Sequence, residues 1–216
     1  MRFISLFALL LLSSCQAVFT GIYGIREPAQ LAAGELPKLA VMYGIPPNSR
    51  SAVLDTSFWR FIRRMQQQAP NVAKNHYQLL QAVYYDAAGR QQSFHINCYA
   101  GGFPNLHWNA NGILAHFPPA QQAPRDTALT LAEHLRYLRP LALPTLPPDY
   151  TVVVHWSRFT TRQSRRLIRA VRQNVALAPA GTRVTTVFVN TDDFYYLAYK
   201  REAERMATTQ QENPAK

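Results

Sequence analysis

Cysteine is nearly absent from this chain: only Cys15 and Cys98 occur in its 216 residues. That excludes a disulfide scaffold and a cysteine-rich zinc module. The six histidines show no His-x-x-x-His spacing, so no metal or cofactor is expected. Acidic side chains are also scarce, 12 against 23 basic ones, which leaves a net charge of +11. Long apolar runs are missing too. The best, Phe3 to Leu12, is about 10 residues and is interrupted by Ser5, against the ~18–20 that a spanning helix needs. A transmembrane chain is therefore not expected. What the sequence does have is 48% hydrophobic residues. That is a composition for one globular domain with a sizeable core rather than for disorder.

The apolar run begins after Arg2 and ends in Leu12-Ser13-Ser14-Cys15. A positive start, a short apolar stretch and small residues before the cysteine resemble the lipobox of bacterial lipoproteins. The resemblance implies removal of residues 1–14 as a signal peptide and acylation of Cys15 with palmitate-like chains. Several acyl chains on one residue anchor stably, whereas one binds marginally. Gln16 stands where an aspartate often signals inner-membrane retention, so the expected address is the outer membrane of the cell envelope, facing the periplasm. The competing reading is an ordinary cleaved signal with a coincidental cysteine. Export makes nucleic acid an unsuitable partner for the positive charge. Anionic lipid head groups, lipopolysaccharide phosphates, acidic polymers or an acidic protein suit it better. With Cys15 acylated, Cys98 is left alone. It reads as a small buried apolar residue, with an intermolecular bridge or a reactive thiol as alternatives.

Glycines and prolines punctuate residues 15–50, which read as an irregular tether with some local structure. Residues 51–206 read as a single α/β domain and 207–216 as a disordered tail. Phe58, Phe61, Ile62 and Met65 share one helical face, predicting a helix from Asp55 to about Gln68. A hairpin is predicted over Gln78–Tyr85 and Arg90–Tyr99, with Asp86-Ala87-Ala88-Gly89 as its turn. Asn111-Gly112 reads as a second turn before a short strand at Ile113–Phe117. Asp126 to about Arg139 reads as a helix, and Pro140, Pro144, Pro147 and Pro148 as a stiff linker. Thr151–His155 is a β-branched strand. Thr160 to about Leu177 is a helix with Leu167, Ile168, Val171 and Val175 as its apolar stripe. Val184–Asn190 is a second strand, and Asp192 to about Met206 a closing helix. Strand, helix, strand makes a βαβ unit with parallel strands.

Within that unit, Val152-Val153-Val154-His155-Trp156-Ser157-Arg158-Phe159-Thr160-Thr161-Arg162-Gln163 resembles the thioredoxin segment where a buried strand leads through a tryptophan into Cys-x-x-Cys and a helix. Val187-Phe188-Val189-Asn190-Thr191-Asp192 resembles the strand that follows it. The resemblance covers about one fifth of the chain. It implies a thioredoxin-like fold, partial or rearranged, with a central mixed sheet and flanking helices. Thr160 and Gln163 stand at the two redox-cysteine positions. Disulfide exchange needs a thiolate, which neither side chain supplies. The family ends in a hairpin and a helix. Here that hairpin is either missing or replaced by residues 78–99 in another order.

Ligands in open α/β sheets gather at the carboxyl ends of strands. Arg158, Thr161, Arg162, Arg165, Arg166 and Arg169 fall there or along the following helix, and no acidic residue lies between Asp149 and Asp192. Arg162–Arg166 and Arg165–Arg169 are like charges at i, i+4, a conflict that an anionic partner would relieve. A solvated basic face, partly neutralised by Glu202 and Glu204, is the alternative. Asp192 and Asp193 read as helix caps, with acid catalysis or metal binding as the other option. Cys98 with His95, His107 or His155 would make a nucleophile pair, although positions 95 and 98 fall on opposite faces of one strand. Trp156 and Phe159 read as core, and Tyr195, Tyr196 and Tyr199 as a possible contact surface. No catalytic residue is assigned. The expectation is a membrane-anchored, non-catalytic binding or scaffolding module. The alternatives are an anionic polymer or lipid-phosphate binder using the helix over 162–172, and an enzyme using Cys98 with a histidine.

Overall fold

The computed structural model describes residues 24–102, 105–140 and 148–212, without the side chains of 202, 203 and 206–212. The lipobox, Cys15, and Pro144 and Pro147 of the linker lie outside the described residues. Among the described residues, no helix is long and apolar enough to cross a membrane.

Six strands form one mixed sheet: β1 (Arg50–Leu54), β2 (Gln81–Asp86), β3 (Gln91–Ile96), β4 (Leu138–Arg139), β5 (Tyr150–Trp156) and β6 (Val184–Asn190), in the order β3-β2-β5-β6-β1-β4. Helices α1 (Glu35–Met42), α2 (Phe58–Gln68), α3 (Pro70–His76), α4 (Leu131–Leu135), α5 (Thr161–Val175) and α6 (Asp192–Glu212) flank it. β5 and β6 run parallel, with Val153 opposite Val187 and Trp156 opposite Asn190. β1 adds a third parallel strand beyond β6, pairing Arg50 with Val187. The β2–β3 hairpin lies antiparallel along the other side of β5, with Gln81 opposite His155. Its turn closes through the Gly89 amide donating to the Asp86 carbonyl, and Gly89 takes φ of 73°, which suits a residue without Cβ.

The period-two alternation of β5 sends its side chains into two separate cores. Val153 packs with Phe58, Phe61, Ile62 and Met65 of α2 and Phe194 of α6. Val152, Val154 and Trp156 pack on the opposite face with Leu167, Ile168 and Val171 of α5 and Leu39 of α1. A central strand buried on both faces accounts for the unbroken run of valines. Burial of each such side chain is worth about 1.5–3 kcal/mol.

Four expectations give way. Residues 35–45 are no loose tether: α1 and Ile45 bury Leu39, Ala40 and Tyr43 in the second core. Ile113–Phe117 forms no strand, but follows a 3-10 turn at Ala110–Gly112 where Asn111 takes φ of 56°. The helix predicted from Asp126 shrinks to α4. Thr130 caps it by accepting from the Glu133 amide at 3.3 Å, and Leu138 then pairs with β1 as β4. Helix α6 runs on to Glu212, past the expected fraying point at Ala207.

Candidate functional site

The carboxyl ends of β5 and β6 converge on Asp192, the first residue of α6, whose side chain is fully buried. Its Oδ1 accepts from Ser157 Oγ at 2.7 Å and from the Arg158 amide at 2.8 Å. Its Oδ2 accepts from Arg158 Nε at 2.6 Å and Asn190 Nδ2 at 3.2 Å. Arg158 Nη1 donates to Glu35 Oε1 at 2.8 Å, and Nη2 to the carbonyls of Ala29 and Gln30. Arg158 is therefore engaged by two carboxylates and two carbonyls, and its work is to fasten the 29–35 segment to the sheet. Asp193 joins the same fastening: its Oδ1 accepts from the Leu31 amide at 2.6 Å. Both aspartates thus serve the N-terminal segment. Among the described residues no group of three or more metal-ligating side chains forms.

Thr160 lies under that segment. Ile25 bridges to it, the Arg26 amide donates to the Phe159 carbonyl at 2.8 Å, and the Thr161 amide donates to the Gly24 carbonyl at 3.0 Å. A Cβ on Gly24 would stand 3.2 Å from the Arg162 amide nitrogen, and φ there is 65°, so close approach and backbone geometry both call for glycine. Gln163 is buried, with its Oε1 accepting from the Leu106 amide at 3.2 Å. The two positions matching redox cysteines thus hold a covered threonine and a glutamine that fixes a neighbouring loop.

Beside this crossing, Arg26, Arg162, Arg165, Arg166 and Arg169 line one groove with Gly24 and Thr161, about 660 Å³ in volume. None of the five arginines makes an ion pair among the described residues. Arg165 stacks over the Tyr43 ring at 5.4 Å, and Tyr43 donates to Thr161 Oγ1 at 3.2 Å. Farther along α5, Arg172 Nη1 donates to the Gly44 carbonyl at 3.0 Å. Among the described residues the groove therefore presents five guanidinium groups and no carboxylate, fork-shaped donors matched to phosphate or carboxylate oxygens. Arg26 was not foreseeable as a member, since only the backbone pairing with Phe159 brings it to α5.

His76, His95, His134 and His155 are buried in the core, whereas His107 and His116 are exposed. Tyr85 OH lies 2.9 Å from His134 Nδ1, and His134 Nε2 lies 2.9 Å from His155 Nε2. Burial pushes the Tyr85 phenol well above its usual range and keeps it neutral. Burial holds His155 down to about 3 and His134 well below the ordinary value. His76 Nε2 meets Asp126 Oδ2 at 2.7 Å. Burial raises the Asp126 carboxyl, but the His76 contact and the Ala128 and Leu129 amides outweigh it and leave it low.

Cys98 is exposed on the loop after β3, not buried as expected. Its Sγ donates to Gln78 Oε1 at 2.9 Å, and no histidine is among its hydrogen-bond partners. Tyr195 and Tyr199 line a different cleft, with Trp59, Tyr77 and Phe159, on the other side of the N-terminal crossing. Phe159 is buried as expected, yet it also forms part of that cleft wall. No family model, no curated protein and no solved structure matches this chain.

Proposed function

We propose that this chain is a non-catalytic envelope lipoprotein whose domain, thioredoxin-like in arrangement, binds phosphate-bearing anions through the arginine groove of α5. The observation that carries the reading is five arginines in one groove without a carboxylate among the described residues of its walls. A group of like charges costs stability unless an anion sits among them. The parallel β5–β6 pair suits the thioredoxin resemblance, and the hairpin against β5 suits a rearranged version of that fold. Threonine and glutamine at the cysteine positions favour binding over disulfide exchange.

The lipobox adds a geometric reason to choose lipid phosphates. Eight residues, and so nine Cα-to-Cα steps, separate Cys15 from Gly24, which lines the groove. Fully extended they span at most about 30 Å. A lipid on Cys15 therefore keeps the groove near the surface of the same membrane. Lipid and basic patch then act as two anchoring signals, each basic side chain near an anionic surface adding about 1 kcal/mol.

Two measurements test this. Mass spectrometry of the mature protein should show acyl chains on Cys15, and their absence would remove the anchor from the proposal. The mature chain carrying Cys15→Ser should sediment with phosphatidylglycerol vesicles at low salt and release as salt rises. The variant Arg162→Gln, Arg165→Gln, Arg166→Gln, Arg169→Gln should lose that binding. Undiminished sedimentation of the variant would reject the groove as the site.

A further inference from the structure

The cleft on the far side of the N-terminal crossing has a different chemistry from the arginine groove. Trp59, Tyr77, Phe159, Tyr195 and Tyr199 supply most of its apolar wall, over a volume of about 630 Å³. It opens to solvent. Arg63, Arg201 and Arg205 stand among its lining residues, and among the described side chains no aspartate or glutamate does. Five segments distant in sequence build it: the stretch at Pro28, α2, the residues following α3, the turn at Phe159, and α6.

Its walls are fixed in place. The Trp59 ring stacks on Phe194 with centroids 4.7 Å apart and planes 14° from parallel. Tyr77 packs between Trp59 at 5.1 Å and Tyr195 at 5.5 Å. Phe194 and Tyr195 are themselves buried, so the platform rests on the core of the domain. Yet Tyr77 is 41% and Tyr199 61% exposed, large apolar surfaces on a rigid base. Rigid aromatics bind with little loss of side-chain freedom.

We infer that this cleft is a docking site for a protein segment that combines acidic residues with an aromatic or aliphatic side chain. Tyrosine, tryptophan and arginine are the residue types that carry most binding energy at protein interfaces. A volume of this size takes a side chain or two, and its opening to solvent admits a continuous chain on either flank. The all-positive set of charged lining residues selects a segment of negative charge. An apolar tip fills the space between Tyr77 and Tyr199, and its carboxylates meet Arg63 and Arg201. The inference does not depend on the α5 groove, which lies across the crossing and lacks the aromatic wall.

Trp59 provides the readout. It is half-buried, whereas Trp108 and Trp156 are 3% and 0% exposed. The probe is a short capped peptide with two phenylalanines flanked by aspartates and glutamates, titrated against the full mature chain while tryptophan fluorescence is followed. We expect saturable binding that weakens with salt. Tyr199→Ala and the double variant Arg63→Gln, Arg201→Gln should each weaken it roughly tenfold. Trp59→Phe should keep the affinity by calorimetry and lose the optical signal. The α5 glutamine variant should bind the peptide as well as the unaltered chain. Equal affinity for peptides with the acids amidated, or with serine in place of phenylalanine, would overturn the proposal. Loss of binding in the α5 variant alone would overturn it as well. So would occupation by the chain's own residues 16–23, seen as peptide binding only after their deletion.

Discussion

Asp192 accepts from Ser157, from Asn190 and twice from Arg158, and through Arg158 it ties Glu35 and the carbonyls of residues 29 and 30 to the sheet. Replacing it with alanine leaves the Arg158 guanidinium, 17% exposed, short of a partner in a mostly buried position. The expected loss is about 3 kcal/mol in urea unfolding, the lower end for a broken buried pair because Arg158 retains Glu35 and some water. A loss under 1 kcal/mol would contradict this account of Asp192. The histidines make a second prediction. His134 and His155 stay neutral in the fold, while in the unfolded chain imidazole titrates near 6.5. On acidification the unfolded chain binds protons first. Stability is therefore full above about pH 6.5 and declines below it, by about 1.4 kcal/mol per pH unit for each histidine that stays neutral. The lowered carboxyls of Asp126 and Glu133 add their own loss only below the carboxylate range, so pH 6.5 to 5 isolates the imidazoles. Urea midpoints that stay level across that window would refute the neutral pair. Cys98, exposed, should be labelled by a thiol reagent without denaturant.

Helix α5 combines an apolar stripe that holds it to the sheet with a basic face on which Arg165 and Arg172 hold the Tyr43–Gly44 segment while Arg162, Arg166 and Arg169 make no ion pair among the described residues. Arg166→Gln with Arg169→Gln removes one member of each i, i+4 pair, so at low salt the unfolding free energy should rise by roughly 0.4–1 kcal/mol. Thermal melts at two salt concentrations check this, the gain shrinking as salt screens the pairs. A variant that is more stable and binds anions less is the signature of a face kept for binding. The same helix shows what could be read from sequence. Leu167, Ile168 and Val171 announce a period of 3.6, and the valines of β5 announce a strand buried on both sides, because in each the local pattern and the tertiary environment agree. β1 does not announce itself: Arg50-Ser51-Ala52-Val53-Leu54 has the character of a strand only through its parallel partner β6. The short α4 went unread because Leu131, Leu135 and Leu138 keep helical spacing while Leu138 has already entered β4. At the candidate sites, the arginines of α5 were legible as a run. Arg26, Trp59, Tyr77 and Arg63 were not, since only the folded chain brings them to their clefts.

On the scale of the whole molecule, the sheet binds together segments far apart in the chain. β5 lies between β2 and β6, and β6 lies between β5 and β1, so the sheet closes only when the last strand arrives. Deleting residues from 184 onward should leave β1 without its parallel neighbour and one edge of β5 bare. The expected product is protease-sensitive and lacks cooperative unfolding, checked by limited digestion and circular dichroism. Retention of a cooperative transition would show that β1 and β5 do not need β6. Pairings of this separation are slow to form, because the loop must close before the contacts reward it. Arg50 meets Val187, and that has a consequence for the life of the nascent polypeptide. Until the ribosome has made β6, the molecule has no way to set hard. The emerging chain stays pliant until its far end has been written.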